Sequence, residues 1–327
     1  MRFKLTVLCE LCPKACLIES GQSGECRVRI NIDGVLRTVV YGYPCSIHID
    51  PVEKKPLFHF LPSTGILSIA TVGCNLHCLN CQNWEISQAN PEESQAVLCP
   101  PAKLVELAKQ NRCPSIAYTY TDPIVYYEYT YDSAKLARDN GIRNVLVTAG
   151  YINAEPWKKL LEHVDAANID LKFISDELYR RICSGTLKPV QNALVLAKAS
   201  GVLVEVTNLV IPTLNDKPEQ IRELAGWIKA NLGRETPLHF SGFYPQYKMK
   251  NLPSTSLQTL ETAREIAISE GLDYVYIGNV RSKEGENTYC PGCKKLLIER
   301  KAYTILQNRL KDGHCPDCNK EIYGVWK

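Results

Sequence analysis

Short apolar runs alternate with longer segments of helical periodicity between residues 64 and 278. The apolar runs are rich in β-branched residues and are bounded by glycine, proline or polar residues, which predicts strands. The predicted strands are 67–72, 115–119, 144–148, 167–173, 202–210 and 237–241. The predicted helices between them are 101–112, 123–140, 154–164, 189–200, 218–231 and 256–270.

Six strand–helix repeats in this order predict a parallel sheet with right-handed crossover connections. Six units are too few to close an eight-stranded barrel, so we expect an α/β fold, an open, partial (β/α)6 barrel of the TIM type over residues 64–278. In such folds the chemistry sits at the carboxyl ends of the strands. The candidate residues at those ends are Cys74, Asp122, Thr148, Lys172, Asn208 and Ser241.

The segments on either side of this core predict two smaller cysteine-rich modules. Residues 1–63 begin with cysteines and continue into short strands at 28–32 and 36–40, so we expect an accessory module or a lid. Segment 50–61 is a predicted linker that packs against the barrel. Residues 279–327 form the third, C-terminal module.

The composition is that of an ordered globular protein, with 45% hydrophobic and 22% charged residues. The 38 basic and 35 acidic residues nearly balance, which gives no reason to expect nucleic acid or an anionic membrane as a partner. Lys198 and Glu205 interrupt the longest apolar stretch, 190–212, so no membrane span is expected. No signal-peptide pattern is visible, and we expect a cytoplasmic location.

The chain has 15 cysteines, and most of them fall into three clusters. Clustered thiols in a chain of this kind favour metal binding over disulfides. The clusters are Cys9, Cys12, Cys16 and Cys26; Cys74, Cys78 and Cys81; and Cys290, Cys293, Cys315 and Cys318. The remaining cysteines, expected to be buried free thiols, are Cys45, Cys99, Cys113 and Cys183.

The middle cluster has the spacing C-x3-C-x2-C within segment 73–84, directly after the first predicted strand. Three thiolates in one loop can ligate three irons of a four-iron cubane, which normally takes four cysteines. One iron then stays open to a small ligand. The alternative is a zinc knuckle completed by His77 or by a distant residue.

This segment resembles the CxxxCxxC signature of radical SAM enzymes. The resemblance to the pyruvate formate-lyase activase branch covers residues 64–278, and a resemblance to the AmmeMemoRadiSam group runs along nearly the whole chain. Its motifs here are Cys9-Glu-Leu-Cys12-Pro, Asp50-Pro-Val-Glu-Lys-Lys-Pro-Leu-Phe-His-Phe60, Cys81-Gln-Asn-Trp84, Tyr118-Thr-Tyr-Thr-Asp-Pro123, Ile211-Pro-Thr-Leu-Asn-Asp216 and Tyr276-Ile-Gly-Asn279. Asn80 departs from the aromatic residue that many such loops carry before the last cysteine.

The resemblance implies a 4Fe-4S cluster whose open iron binds S-adenosylmethionine. It also implies a ferredoxin or flavodoxin-like electron donor, reductive cleavage of S-adenosylmethionine to a 5′-deoxyadenosyl radical, and hydrogen abstraction from a substrate not yet identified. The group name implies AMMECR-type and MEMO-type proteins as partners.

The same resemblance suggests residues that hold S-adenosylmethionine. Thr121 and Asp122, at the end of the second strand, would take the amino group. The alternative for Asp122 is a cap on the following helix, and the two roles can coexist. Asp170 and Lys172 stand at the family's Asp-x-Lys position, where the lysine would meet a carboxylate. A purely structural ion pair is the alternative.

Glu205 and Thr207 on the fifth strand would serve the ribose hydroxyls, with internal hydrogen bonding as the alternative. His239 on the sixth strand resembles the family histidine near the adenosyl group, and a core histidine is the alternative. Gly242 stands where related sequences carry an arginine, and Arg281 is a candidate replacement.

The outer clusters suit other metal sites. Two C-x2-C pairs, Cys290/Cys293 and Cys315/Cys318, favour tetrahedral zinc in a zinc-ribbon module, with rubredoxin-like iron as the alternative. For the N-terminal set, zinc and an auxiliary iron–sulfur cluster both remain open.

Three functions are therefore compared. The first is a radical SAM enzyme with an unidentified substrate. The second is a glycyl-radical enzyme activase, similar to pyruvate formate-lyase activase, which acts on a protein glycine. The third is a non-catalytic iron–sulfur or zinc-binding interaction protein, which would not cleave S-adenosylmethionine.

Overall fold

A central sheet of eight strands organises the computed structural model, which describes residues 5–327. The strands are β1 Thr6–Leu8, β2 Leu17–Glu19, β3 Arg29–Ile32, β4 Val35–Thr38, β5 Ser46–Pro51, β6 Gly65–Ala70, β7 Ser115–Tyr118, β8 Arg143–Thr148, β9 Ala166–Asp170, β10 Leu203–Val210, β11 Leu238–Gly242, β12 Val275–Gly278, β13 Thr288–Tyr289, β14 Leu296–Lys301 and β15 Thr304–Asn308. In the central sheet β5 to β12 follow one another in chain order. Strands β6 to β12 are parallel, which confirms the predicted α/β fold with a mostly parallel sheet.

Helices connect the parallel strands, as the alternating pattern predicted. The helices are α1 Trp84–Ser87, α2 Pro101–Gln110, α3 Tyr127–Asp139, α4 Ala154–Leu161, α5 Asp176–Leu178, α6 Leu187–Ala199, α7 Pro218–Leu232 and α8 Leu257–Ser269. A π-helical segment, Tyr179–Cys183, directly follows α5, and short 3-10 turns lie at Val52–Lys54 and Pro91–Glu93.

The central sheet has two strands that the sequence pattern did not predict. Strand β12 adds a seventh parallel strand after α8, and β5 pairs antiparallel with β6 at the other edge. Strand β5 was missed because its sequence, Ser-Ile-His-Ile-Asp-Pro, is polar and half-exposed, as an edge strand can be. The sheet therefore begins within the predicted 1–63 module, earlier than the boundary expected at residue 64.

The flanking modules contact the core through specific hydrogen bonds. In the N-terminal module, Lys14 Nζ donates to the Ser184 carbonyl over 2.6 Å, and Asn153 Nδ2 donates to the Glu10 carbonyl over 2.7 Å. In the C-terminal module, β13 to β15 form a three-stranded antiparallel sheet. The amide of Val325 donates to the His59 carbonyl over 2.7 Å, so the tail is joined to the predicted linker.

A buried polar network lies where the C-terminal module meets the central sheet. The His59 ring contacts the Tyr276 hydroxyl at 2.6 Å through Nε2 and the Tyr323 carbonyl through Nδ1. Arg300 donates to the Phe58 carbonyl over 2.8 Å. Burial lowers the pKa of His59 to about 4, with the Arg300 charge acting in the same direction.

Gly73 lets the N-terminal module approach the cysteine loop closely. Its φ of +93° lies in the left-handed region, and an added Cβ would stand 2.7 Å from both the Cys26 carbonyl oxygen and Val28 Cγ1. Gly141 after α3 also has a positive φ, +72°, but nothing lies within 4 Å of its added Cβ. These two glycines therefore share a backbone requirement and differ in steric room.

Gly73→Ala should destabilise the protein far more than Gly141→Ala does. The left-handed backbone costs about 1 kcal/mol at either site, whereas the clash at Gly73 adds about 2 kcal/mol more. Urea unfolding of the metal-loaded proteins, followed by circular dichroism, measures both values. Equal losses for the two variants would contradict the close contact at Gly73.

His59 should make the folded protein sensitive to acid. Its folded pKa lies below the ordinary 6.5, so the unfolded chain binds more protons between pH 6.5 and 4, and stability falls as the pH falls through that window. The loss attributable to this group is about 3 kcal/mol. The measurement is the difference in unfolding free energy between pH 7 and pH 4, in the wild type and in His59→Gln. Parallel pH profiles for the two proteins would contradict the assignment.

Candidate functional site

A cavity of about 400 Å³ opens at the carboxyl ends of the parallel strands. Side chains that end or follow each strand from β6 to β12 line it, where an α/β fold places its chemistry. Of the residues predicted to bind the cofactor, the lining includes Cys74, Cys78, Cys81, Thr121, Asp122, Asp170, Lys172 and Thr207. Asn80, the departure from the aromatic position, also lines it.

The three thiols of the loop meet at this one cavity because backbone hydrogen bonds hold the loop. The amides of His77 and Leu79 donate to the carbonyls of Cys183 and Ile182, over 3.0 and 2.9 Å, in the π-helical segment. Cys81 Sγ lies 3.2 Å from the Ser87 hydroxyl. The loop therefore presents three sulfurs to one space, which fits three ligands of a cubane cluster.

The protonation of these thiols depends on burial and on their neighbours. Burial raises the pKa of Cys74 well above its ordinary value, and it also raises that of Cys81. A hydrogen bond from the Cys183 thiol lowers the pKa of Cys78, and the nearby Lys172 charge lowers it further. Cys183 is one of the four cysteines expected to be buried free thiols. Of these, Cys99, Cys113 and Cys183 are buried and Cys45 is half-buried.

Asp122 is a buried carboxylate held by three donors. The Thr148 hydroxyl donates to Oδ1 over 2.9 Å, and the amides of Ala149 and Ile124 donate over 3.0 and 3.1 Å. Burial raises its pKa above the ordinary value. Helix α3 begins only at Tyr127, so Asp122 does not cap it, and that alternative fails. The preceding Thr121 hydroxyl donates to a strand-end carbonyl, that of Thr71, over 2.8 Å.

Lys172 and Asp170 form an ion pair at the cavity wall. The Nζ–Oδ2 distance is 2.6 Å, and the side chains are 21% and 29% exposed, so the pair remains within reach of a ligand. Burial acts to lower the pKa of Lys172, but the Asp170 and Cys78 charges outweigh it and raise the pKa well above 10.5. Asp170 and Lys172 therefore form the structural ion pair and also line the cavity.

Glu205 and His239 lie together, away from the cavity. Glu205 Oε2 is 2.6 Å from His239 Nε2, and Glu205 Oε1 accepts the His59 amide over 2.8 Å. Burial acts to raise the pKa of Glu205, but the bond to His239 outweighs it and lowers the pKa. Thr207, which lies two residues after Glu205 on β10, does line the cavity, and its hydroxyl donates to Asn168 Oδ1 over 2.8 Å.

The sequence did not suggest a second charged group at the cavity. Asp50 pairs with Lys55 over 2.6 Å and with Lys54 over 2.8 Å, and it accepts the Tyr120 hydroxyl. Burial lowers the pKa of Lys55 to about 8. Both lysines and the tyrosine line the cavity. The sequence analysis identified segments 50–60 and 118–123 only as motifs of a family resemblance, and it attached no chemistry to these charged residues.

The C-terminal cysteines form a compact set of four. Within residues 5–327 they are the one group of at least three potential ligand side chains whose ligand atoms all lie within 4.8 Å of one another. The Cys290–Cys318 and Cys293–Cys315 sulfur distances are 3.5 and 3.6 Å. Tetrahedral zinc with Zn–S bonds of about 2.3 Å needs sulfurs about 3.8 Å apart, so the set fits a single ion.

The N-terminal cysteines also share one space but are less compact. Cys9, Cys12, Cys16 and Cys26 all line a small cavity next to Asn75, the residue that follows Cys74. No helix in the described part of the chain is long and apolar enough to cross a membrane.

The chain is similar to two curated proteins that cover much of its length. The uncharacterised protein MJ0808 of Methanocaldococcus jannaschii is 50% identical over 318 residues, which are 97% of this chain and 95% of that protein. The pyruvate formate-lyase-activating enzyme of Clostridium pasteurianum is 27% identical over 183 residues, which are 52% of this chain and 75% of that enzyme.

Solved structures show the same fold at low sequence identity. A radical SAM methyltransferase from Sphaerobacter thermophilus has a TM-score of 0.53 and 16% identity, and the match covers 67% of each chain. Streptococcus suis SuiB bound to S-adenosylmethionine has a TM-score of 0.53 and 11% identity, over 70% of this chain and 53% of that one.

The family comparison agrees with the cysteine loop and the sheet. The radical SAM superfamily model matches residues 68–228, which include the three thiols of the loop together with Asp122 and Lys172. The chain therefore contains a radical SAM family domain and is an enzyme with similarity to pyruvate formate-lyase-activating enzymes, and this domain implies a 4Fe-4S cluster and reductive cleavage of S-adenosylmethionine.

Proposed function

We propose that the chain is a radical SAM enzyme of the AmmeMemoRadiSam group that abstracts hydrogen from a small substrate in the strand-end cavity. The observation that carries the proposal is the meeting of Cys74, Cys78 and Cys81 at a cavity that also contains Asp122 and Lys172. Three thiols, rather than four, suit a cluster with one open iron. Among residues 5–327, no fourth cysteine lines this cavity.

The roles of the side chains follow from their charges and positions. Cys74, Cys78 and Cys81 would hold the cluster, which together with S-adenosylmethionine supplies reductive cleavage to a 5′-deoxyadenosyl radical. Asp122 would accept the amino group of S-adenosylmethionine, because its carboxylate is fixed at the cavity by three donors. Lys172 would meet the carboxylate.

Further contacts to the nucleoside would come from the side walls. Thr121 and Thr207 line the cavity, and we propose that they contact the amino acid part and the ribose, respectively. Glu205 and His239 pair with each other below it. We therefore propose that these two residues fix the joint between strands β10 and β11 and make no contact with the nucleoside.

The shape of the mouth favours a small substrate over a protein glycine. Lys54, Lys55 and Pro56 from the N-terminal side line the cavity, as does Tyr303 from the C-terminal module. Flanking segments thus narrow an entrance that a glycyl-radical enzyme activase would need to keep open to a protein loop. The activase function remains the second candidate because of the similarity to the Clostridium pasteurianum enzyme.

The proposal also includes the module organisation, the electron donor, the protein partners and the location. We propose three modules over 1–63, 64–278 and 279–327, in which β5 of the first module joins the central sheet of the second and the sheet is curved into a partial barrel. A ferredoxin or flavodoxin-like protein would supply electrons. AMMECR-type and MEMO-type proteins are proposed partners, and the proposed location is the cytoplasm.

Cys78→Ala should abolish cleavage of S-adenosylmethionine. Loss of one of three ligands removes the cluster, so 5′-deoxyadenosine formation should fall by at least about 100-fold. The removal of a hydrogen-bond partner outside the ligand set typically lowers metal affinity or activity by less than this. The assay uses anaerobically reconstituted protein, dithionite as the reductant, and chromatographic detection of 5′-deoxyadenosine.

Cys113→Ser is the matched control, because Cys113 is a buried thiol outside the three clusters. It should retain the parent rate. Formation of 5′-deoxyadenosine by Cys78→Ala at the parent rate would refute the cluster assignment. No formation by the parent protein would favour the non-catalytic alternative.

We also propose that the C-terminal set holds structural zinc. The sulfur spacing near 3.6 Å suits one tetrahedral ion, and the set packs against Phe58 and Tyr276 at the joint with the core. Zinc here would stabilise the C-terminal module and take no part in the reaction.

Cys315→Ser should lose this metal and lower the melting temperature. The purified wild type should contain about one zinc per chain and the variant almost none, because a site with three thiolates binds zinc far more weakly. Elemental analysis by mass spectrometry measures zinc and iron together. Iron in place of zinc at this site, lost in the same variant, would identify a rubredoxin-like centre instead.

A further inference from the structure

The N-terminal cysteines surround a space that the proposed reaction does not use. Cys9, Cys12 and Cys26 are buried and Cys16 is half-buried, and all four side chains line the same small cavity. We propose that this set binds a second iron–sulfur cluster, a cubane whose four irons are all held by protein thiolates. This inference does not depend on the loop 74–81 holding a cluster.

The spacing of the four thiols separates a cluster from a single ion. Sulfurs around one zinc must lie about 3.8 Å apart, as the C-terminal thiols nearly do. Among the described residues, the N-terminal thiols face one space but are not grouped as compactly as the C-terminal four. A cubane has a body of four irons and four sulfides, so its ligand sulfurs stand farther apart than those around one ion.

Two buried polar atoms at this cavity have no partner in the protein. Arg29 is 8% exposed, and its guanidinium forms two hydrogen bonds to Glu128, over 2.7 and 2.9 Å, but its Nε has no acceptor. Asn75 is 1% exposed, and its Oδ1 has no partner. The Arg29 Nε–H is a donor that an anionic group in the cavity would satisfy, whereas the Asn75 oxygen is an acceptor and does not itself point to such a group.

The chemistry of the wall suits an anionic cluster. A cubane with four thiolate ligands carries net negative charge, and hydrogen bonds to its sulfurs stabilise it. The unpartnered Arg29 Nε–H supplies such a donor beside a positive charge. Lys14 also lines the cavity, although Glu25, which pairs with it over 2.6 Å, lines the cavity as well and offsets its charge.

The two cysteine sites are close neighbours. Asn75 lines the N-terminal cavity, and the residues on either side of it, Cys74 and Leu76, line the strand-end cavity. One residue of backbone thus separates them. A cluster with no open iron cannot bind S-adenosylmethionine, so the two sites should differ in their response to that ligand.

The test compares metal content after anaerobic reconstitution in three variants and the wild type. The wild type should hold about eight iron atoms and eight sulfides per chain, and Cys12→Ser/Cys26→Ser should hold about four of each. Cys74→Ala/Cys78→Ala/Cys81→Ala should also hold about four of each, now only in the N-terminal site. Cys113→Ser is the control for loss of a buried thiol and should match the wild type.

Electron paramagnetic resonance of the reduced proteins assigns each cluster. Added S-adenosylmethionine should change the signal of the wild type and leave that of the triple variant unchanged. The triple variant keeps the proposal testable even if Cys12→Ser/Cys26→Ser does not fold, because it leaves the N-terminal set intact.

The opposite results are equally clear. The proposal is overturned if the triple variant contains no iron while the wild type contains a second zinc that Cys12→Ser/Cys26→Ser loses. That combination would identify the N-terminal set as a zinc site. A triple variant without iron and without that zinc would overturn it as well. If the proposed loop cluster is absent instead, the wild type and the triple variant would hold the same about four irons.

Discussion

The site depends on one short set of backbone hydrogen bonds between the cysteine loop and the π-helical segment. The last carbonyls of a helical segment lack partners within it, so those of Ile182 and Cys183 are free to accept the loop amides. Ser184 then ends the segment in the left-handed conformation. Gly185 leaves room for Leu76, whose Cδ2 would stand 2.7 Å from an added Cβ. The direction of the three thiols is therefore set by the backbone before any metal binds.

The parallel sheet supplies the other half of the site and keeps charged groups there at tolerable cost. A buried charge is expensive unless it has a partner. Asp122 has three donors, Lys172 has Asp170, and Lys55 has Asp50. The flanking modules complete the arrangement, since both contribute side chains to the cavity mouth.

The sequence predicted most of the sheet and the three thiols that meet at the strand-end cavity, because both leave local signals. Apolar runs mark strands, and three cysteines at fixed spacing mark a loop. The sequence analysis assigned Glu205 and His239 to the cofactor because alternation along a strand gives the face on which a side chain lies. It does not give the distance of that side chain from the carboxyl end of the strand. The Asp50, Lys55 and Tyr120 group was missed because its members come from segments 70 residues apart and meet only in the folded chain.

The π-helical segment limits which changes in chain length the protein can tolerate. A π-helical turn contains one residue more than an α-helical turn, and such turns are frequent at functional sites. Removing one residue from Tyr179–Cys183 would rotate the following carbonyls by about 100° around the axis. Both acceptors of the loop would then point elsewhere. Length changes within this turn are thus expected to be harmful even where every side chain that lines the cavity is kept.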